Sequence, residues 1–257
     1  MDDILRWPAE AIWQELHPLL EGFTVEVLPE IDSSNSELMR RARDGRTEPT
    51  LLVAERQTAG RGRQGRDWHS SRGDALTFSL GLPLAPADWS GLSLVAGVAI
   101  AEALHPDLGL KWPNDLWWHD RKIGGILVET TGSGDTGAPR YVVVGVGLNI
   151  APPAAPDGLR TPPAGLRELS PGIDAPAALG AVVPALVRAL LDFAAQGFAT
   201  WQARFAARDV LRGRAVLLSD GRHGTAASVD ADGVLRVQTA EGWESVRSAE
   251  VSIRPAA

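Results

Sequence analysis

Apolar and polar positions along the chain change period several times, and each change predicts an element. Residues 9–20 carry a helical spacing, and 23–28, FTVEVL, alternate as a strand does. Ser34-x-x-Glu37 has the form of a capping box, and Gly45 follows the run ELMRRARD, which predicts a helix over about 35–44. TLLVA at 50–54 is a short continuous apolar run and reads as a buried strand. Residues 55–74 are a loop rich in glycine and arginine, and ALTFSLGL at 75–82 alternates apolar and small residues as a half-buried strand. A helix is expected over 91–104 after Ser90. Three strands are expected at 109–112, 122–129 and 141–150, with turns at Asn114–Asp115 and in TGSGDTGAP.

Residues 151–176 hold seven of the eighteen prolines and read as a long irregular connection. Helical spacing returns over 177–208, where Pro184 is a candidate bend. Past Arg212 the character changes. AVLLSD, GTAASVD, GVLRVQT, ESVRSA and EVSIRP are short strand candidates divided by glycine and aspartate turns, the spacing of a small barrel. The connections between 109 and 150 are too short for helical crossovers, so that part of the sheet should be antiparallel. The expected class is α+β, with one domain over 1–210 and a small β-barrel over 211–257.

Composition narrows the options. There is no cysteine, so disulfides and thiolate zinc sites are excluded. No apolar run is read as membrane-spanning, and the acidic, amphipathic start is unlike a signal peptide. A cytoplasmic location without membrane association is the expectation. The net charge of −7 argues against a surface that gathers nucleic acid. GRGRQGR at 60–66 is the local exception, with three arginines and no acid.

Of the 25 basic residues, Lys111 and Lys122 are the only lysines, and both lie in KWPNDLWWHDRKIGGILVE. An ammonium is a compact point charge with rotatable donors, suited to a phosphate or carboxylate oxygen. Gly60, Gly62 and Gly65 spell G-x-G-x-x-G, but a dinucleotide fingerprint opens a helix directly after its strand. These glycines lie several residues beyond the strand, and RDWHSSRGDALTF after them has no helical period, so that reading is rejected. Arg61, Arg63 and Arg66 would instead offer forks to a polyphosphate from a lid that closes over an anion. The plainer reading is a solvated basic loop, with Trp68 as a packed anchor. Asp115 either belongs to a turn or holds Mg²⁺ beside substrate phosphates. Gly124, Gly125, Gly145 and Gly147 within strands suggest a flat platform for a planar ligand, with sheet bends as the alternative. Asn149 continues the face of Gly145 and Gly147.

These blocks resemble the biotin protein ligases: SSN at 33–35, ERQTAGRGRQGRDW at 55–68, KWPNDLWW and RKIGGILVE at 111–129, GVGLN at 145–149 and, more weakly, EVSIRP at 250–255. They run in family order across nearly the whole chain. Two departures are small: Ser34 stands where threonine is usual, and Gln64 where arginine is common. The resemblance implies a class II synthetase-like catalytic domain followed by an SH3-like barrel. It implies ATP-dependent formation of biotinyl-5′-AMP, then transfer of biotin to a lysine of a carboxylase's biotin carboxyl carrier domain.

The same resemblance assigns roles to residues. Ser33, Ser34, Asn35 and Gln57 would hold the ureido end of biotin, with Gly60, Gly62 and Gly125 close by. Arg61 and Arg63 would order over biotin and phosphate. Lys122 would bridge the biotin carboxyl and the α-phosphate, and Lys111 and Asp115 would serve phosphate and Mg²⁺. Trp68, Asn149 and Arg254 would lie on the ATP side. Two rivals remain: a lipoate or octanoate ligase of the same fold, and a biotin-sensing binding protein. Only 32 residues precede Ser33, about half of what a helix-turn-helix domain needs, so DNA binding is not expected. The oligomeric state, monomer or homodimer, stays open.

Overall fold

The computed structural model describes residues 5–131, 138–153, 161–218, 221–247 and 253–255. Helices α1 (Ala9–Leu16), α2 (Ser34–Arg43), α3 (Leu92–Leu104), α4 (Ala175–Gln196) and α5 (Gln202–Ala206) accompany two sheets. The first sheet contains β1 (Thr24–Leu28), β2 (Thr50–Ala54), β3 (Ala75–Leu84), β4 (Gly109–Lys111), β5 (Asp115–Trp118), β6 (Arg121–Thr130) and β7 (Arg140–Asn149). Its order is β1-β2-β3-β7-β6-β5-β4. Of the described pairs in this sheet, only β1–β2 is parallel; α2 makes that crossover, and the others are antiparallel. This is the expected mixed, largely antiparallel α+β arrangement.

The alternation in β3 explains the two faces. Leu76, Phe78, Leu80 and Leu82 enter the main core with α3, α4 and α1. Thr77 and Ser79 are buried on the other face, where α2 lies. Under α2 a smaller core gathers Leu38, Met39, Leu52, Tyr141 and Val143. Each fully buried leucine contributes about 1.5–3 kcal/mol by leaving water. The site therefore lies on the α2 face of a sheet whose opposite face carries most of the apolar burial.

Several expectations are corrected. The cap of α2 is Ser33, whose Oγ accepts from the Ser36 N–H, so the helix starts one residue early and Ser34 is free for other partners. Asp115 opens a strand rather than sitting in a turn, because DLWW forms the hairpin β5–β6 through His119 and Asp120, both at positive φ. The helix over 175–196 runs unbroken through Pro184 and stops at Gly197, whose φ is +72°; a short 3₁₀ turn and α5 follow. Contrary to the reading that no run reaches membrane-spanning length, α4 is long and apolar enough by length and composition to cross one. Twelve of its residues are buried, packed on α1, α3 and β3. Most of the TGSGDTGAP turn lies outside the described residues.

The second sheet has the order β11-β10-β9-β8-β12, from β8 (Ala215–Leu218), β9 (His223–Val229), β10 (Leu235–Thr239), β11 (Gly242–Val246) and β12 (Ile253–Pro255). Its apolar face joins the main core: Val216, Leu218, Ala226, Leu235 and Val237 belong to the same cluster as α3 and α4. The Trp112 indole, just after β4, donates to Gly233 O at 3.1 Å and Gln202 Nε2 of α5 to Val229 O at 2.8 Å, which pins this sheet to the larger unit.

Candidate active site

A cleft of about 280 Å³ opens on the α2 face, across β3, β7 and β6 and under the 60–68 loop. Ser33, Ser34, Asn35, Gln57, Arg61, Gly62, Arg63, Trp68, Lys111, Asp115, Lys122 and Gly125 line it, so most residues singled out from sequence converge. Its two ends differ in chemistry.

One end is neutral and hydrogen-bonded. The amino terminus of α2 delivers Ser34 and Asn35, both nearly fully buried. Gln57 Oε1 accepts from the Ser34 backbone N–H at 2.7 Å, and the Ser34 Oγ lies 2.7 Å from Ser79 Oγ. Ser79 donates to Asn35 Oδ1 at 2.5 Å, and Asn35 Nδ2 donates to Glu129 at 3.0 Å and to Leu127 O at 3.3 Å. Gly145 makes this possible: a Cβ there would stand 2.0 Å from Asn35 Oδ1. Five charged groups fix α2 from outside. Arg41 bridges Glu26 and Glu37, and Arg40 bridges Asp32 and Glu37. The guanidinium partners hold the Asp32 and Glu37 carboxyls below their ordinary range, Arg40 for the first and Arg41 for the second.

The other end is ionic. Asp115 receives Lys122 Nζ at 2.7 Å on one oxygen and faces Lys111 Nζ at 3.7 Å with the other. Both lysines thus share one carboxylate. Lys111 is buried, which pushes its ammonium below the ordinary lysine range while Asp115 opposes the shift. Burial likewise lowers Arg63, whose Nη1 donates to Asn114 Oδ1 at 3.3 Å. Asn114 donates in turn to Ile126 O at 2.8 Å, so β6 holds the turn that aims Arg63. The proline-rich connection positions Lys122: its N–H donates to Pro162 O at 2.9 Å, and its carbonyl accepts from Ala164 N–H at 2.8 Å.

The 60–68 segment is a compact loop. Gly62 N–H donates to Arg66 O at 2.7 Å and Trp68 N–H to Gly60 O at 2.9 Å, around a 3₁₀ turn over Arg63–Gly65. Gly60 lies behind this loop rather than in the cleft wall: a Cβ there would meet Trp68 O at 2.4 Å. Trp68 lines the cleft with its ring 6.0 Å below the Lys122 ammonium, and its buried indole N–H has no hydrogen-bond partner among the described residues. Arg61 reaches Glu129 at 3.4 Å.

The strand glycines do not form a bare platform. The space over Gly145 holds Asn35, that over Gly147 holds the Trp68 ring, and that beside Gly125 holds Lys122 and Asp115; Gly124 instead faces Leu148. They admit the site's own side chains. Asn149 is not in the cleft lining. Its Nδ2 donates to Ala164 O at 3.0 Å and ties β7 to the segment that holds Lys122. Arg254 lies in β12, whose backbone pairs with β8; its side chain is outside the described residues. Ser79, Asn114 and Glu129 were not anticipated. A lone hydroxyl in an apolar strand and a carboxylate closing RKIGGILVE were the available signals.

The profile of the Biotin/lipoate A/B protein ligase family matches residues 29–149. The bifunctional ligase/repressor BirA of Escherichia coli (strain K12) is 34% identical over 247 residues, which cover 92% of this chain and 76% of that protein. The biotin–[acetyl-CoA-carboxylase] ligase of Paracoccus denitrificans is 33% identical over 244 residues, covering 88% of this chain and 98% of its own length. The structure of the biotin protein ligase from Aquifex aeolicus in complex with biotin and ATP superposes with a TM-score of 0.76 at 28% identity, covering 90% of this chain and 99% of that one. The chain belongs to the biotin protein ligase family.

Proposed function

We propose that the cleft binds biotin with its ring at the Ser34–Asn35–Gln57 end and its carboxylate at Lys122, and that ATP enters beside Lys111 and Arg63. The carboxylate oxygen attacks the α-phosphorus, the bond between that phosphorus and the α,β-bridging oxygen breaks, and pyrophosphate leaves behind biotinyl-5′-AMP. A lysine amine of a carboxylase's carrier domain then attacks the acyl carbon; the C–O bond to AMP breaks and the amine loses its proton. The observation that carries this reading is the division of one cleft into a neutral hydrogen-bonding end and an end with two ammoniums on one carboxylate.

The chain's residues act by charge and position. Bringing two anions together is the main obstacle, and preorganised cations offset it. Lys122, paired with Asp115 and seated over the Trp68 ring, can turn a further donor toward the ligand carboxylate and α-phosphate. Asp115 spaces both ammoniums before substrate arrives, so little reorganisation remains. Arg61 and Arg63 cover the product and keep water from the anhydride. Trp68 presents its ring to the nucleotide, while its N–H edge packs on Gly147.

Asp115 is the carboxylate paired with both lysines, Asp67 also lines the cleft, and among the described residues no cluster of three His, Asp or Glu stands ready for a metal. This donor set fits a magnesium ion that arrives on the triphosphate, with Asp115 adding one oxygen. Such an ion would draw charge from the phosphate oxygens. Neither Asn149 nor Arg254 enters this scheme through a described contact with the cleft.

The test is ATP–pyrophosphate exchange by the purified chain with biotin and lipoate in parallel. Exchange dependent on biotin alone is expected. Equal exchange with lipoate, or none with either, overturns the reading.

A further inference from the structure

We propose that Glu129, a residue outside the cleft lining, is the positioning residue that sets the donor–acceptor direction of the ligand-facing hydroxyl of Ser34. This rests on the assignment of the neutral end to the ureido ring.

One chain of side chains fixes where each proton lies. A carboxylate accepts and cannot donate, and the Leu127 carbonyl beside it is likewise only an acceptor. Both lie within 3.3 Å of the same Asn35 amide atom, so that atom must be the NH₂. The Asn35 oxygen is then turned to Ser79 and must accept. Ser79 has one proton and gives it to Asn35. The 2.7 Å contact between the two hydroxyls therefore needs the proton of Ser34. Gln57 Oε1, 3.1 Å from the Ser34 Oγ, is the more distant acceptor and also takes the Ser34 backbone N–H at 2.7 Å; to either oxygen the Ser34 proton points into the protein. With its proton committed inward, the Ser34 hydroxyl offers only lone pairs to the cleft.

The same logic orients Gln57. Its oxygen faces the start of α2, which leaves the amide NH₂ of a cleft-lining side chain to donate. The neutral end thus presents one acceptor and one donor. A cyclic urea offers the matching pair, an N–H and a carbonyl. The polarity originates about two side chains away, at Glu129, which also receives Arg61 from the loop. The carboxylate that directs ring recognition is therefore also a latch for an arginine over the ligand.

The experiment uses the full chain and three ligands: biotin and the two cyclic carbamates in which one or other ureido N–H is replaced by oxygen. Dissociation constants come from calorimetry, and each variant is also melted. In the wild type, the carbamate with oxygen facing Ser34 sets lone pairs against lone pairs and should bind about a hundredfold more weakly than biotin. Glu129→Gln has nearly the same shape but can donate, which leaves the Leu127 carbonyl alone to hold the Asn35 amide, so a fraction of the molecules can reverse the chain of protons and let Ser34 donate to the ring oxygen. The gap between biotin and that carbamate should then shrink about tenfold, with little change in melting temperature. Glu129→Asp keeps a carboxylate and should keep the gap. An unchanged gap in Glu129→Gln, or equal weakening of biotin and both carbamates, overturns the proposal. If the wild type binds biotin but shows no gap, the inference alone falls; if it does not bind biotin, the assignment of the cleft falls with it.

Discussion

Gly147→Ala should separate a packing role from a catalytic one. A Cβ at Gly147 would stand 2.4, 2.7 and 2.8 Å from Cε2, Cζ2 and Nε1 of Trp68. Ordinary contact begins near 3.5 Å, so the ring must retreat by about 1 Å. It cannot retreat alone, because the Trp68 backbone is bonded to Gly60 and a Cβ at Gly60 would already collide with Trp68 O. The displacement therefore reaches the loop that carries Arg61 and Arg63. Overpacking costs about 1–3 kcal/mol, and alanine in place of glycine returns about 0.5–1 kcal/mol of backbone entropy. The net loss of about 1–2 kcal/mol should lower the melting temperature by roughly 2–8 °C. Misplacement by about 1 Å should cost on the order of a hundredfold in biotin-dependent exchange. Gly172→Ala is the control, because nothing among the described residues lies within 4 Å of its Cβ position. Exchange by Gly147→Ala at the rate of that control would refute the close approach of Trp68 and β7.

Asp115→Asn removes the charge that opposes the burial shift on Lys111, so the Lys111 pKa should fall further and the alkaline limb of the exchange profile should move to lower pH; a limb that stays in place or moves up would contradict this. Asp32 and Glu37 have folded pKa values below their ordinary 3.8 and 4.5, so their stabilising contribution is present above those values and is lost as pH falls through and below them. Melting temperature should fall over that acid window, and less so in Asp32→Asn, whose half-exposed pair with Arg40 is worth about 0–1 kcal/mol. Trp112→Phe removes the bond to Gly233 and leaves a buried carbonyl without its donor. It should destabilise the whole chain by about 1–3 kcal/mol in one cooperative transition, since both sheets share a core; two separate melts would show them to be independent.

Much of this arrangement was legible in the residues, and the failures have physical causes. The alternation in ALTFSLGL and the buried run TLLVA identified β3 and β2, because a sheet with one apolar face imposes a period of two. Strand β5 was missed because DLWW is four residues long and its hairpin turn uses His119 and Asp120 rather than the asparagine–glycine pair that marks such turns. The capping box at Ser34 was off by one, since Ser33 and Ser34 are chemically alike and only packing decides which hydroxyl caps. At the site, the lysines, arginines and glycines were visible as unusual choices. Their meeting point was not, because Asp115 comes from β5, Lys122 from β6 and its backbone partners from a proline-rich segment 40 residues later. The glycines show the limit most plainly: strand glycines signal close approach, but only the structure shows that Asn35 and Trp68 do the approaching.

The shared carboxylate beneath Lys111 and Lys122 is the centre of this account. If Lys122 places one ammonium between a carboxylate and the α-phosphate, arginine is too long and too broad, although the chain prefers arginine elsewhere. Biotin-dependent ATP–pyrophosphate exchange by Lys122→Arg, measured beside its melting curve, tests this most directly. A loss on the order of a hundredfold with the fold intact is expected. Wild-type exchange by Lys122→Arg would contradict it.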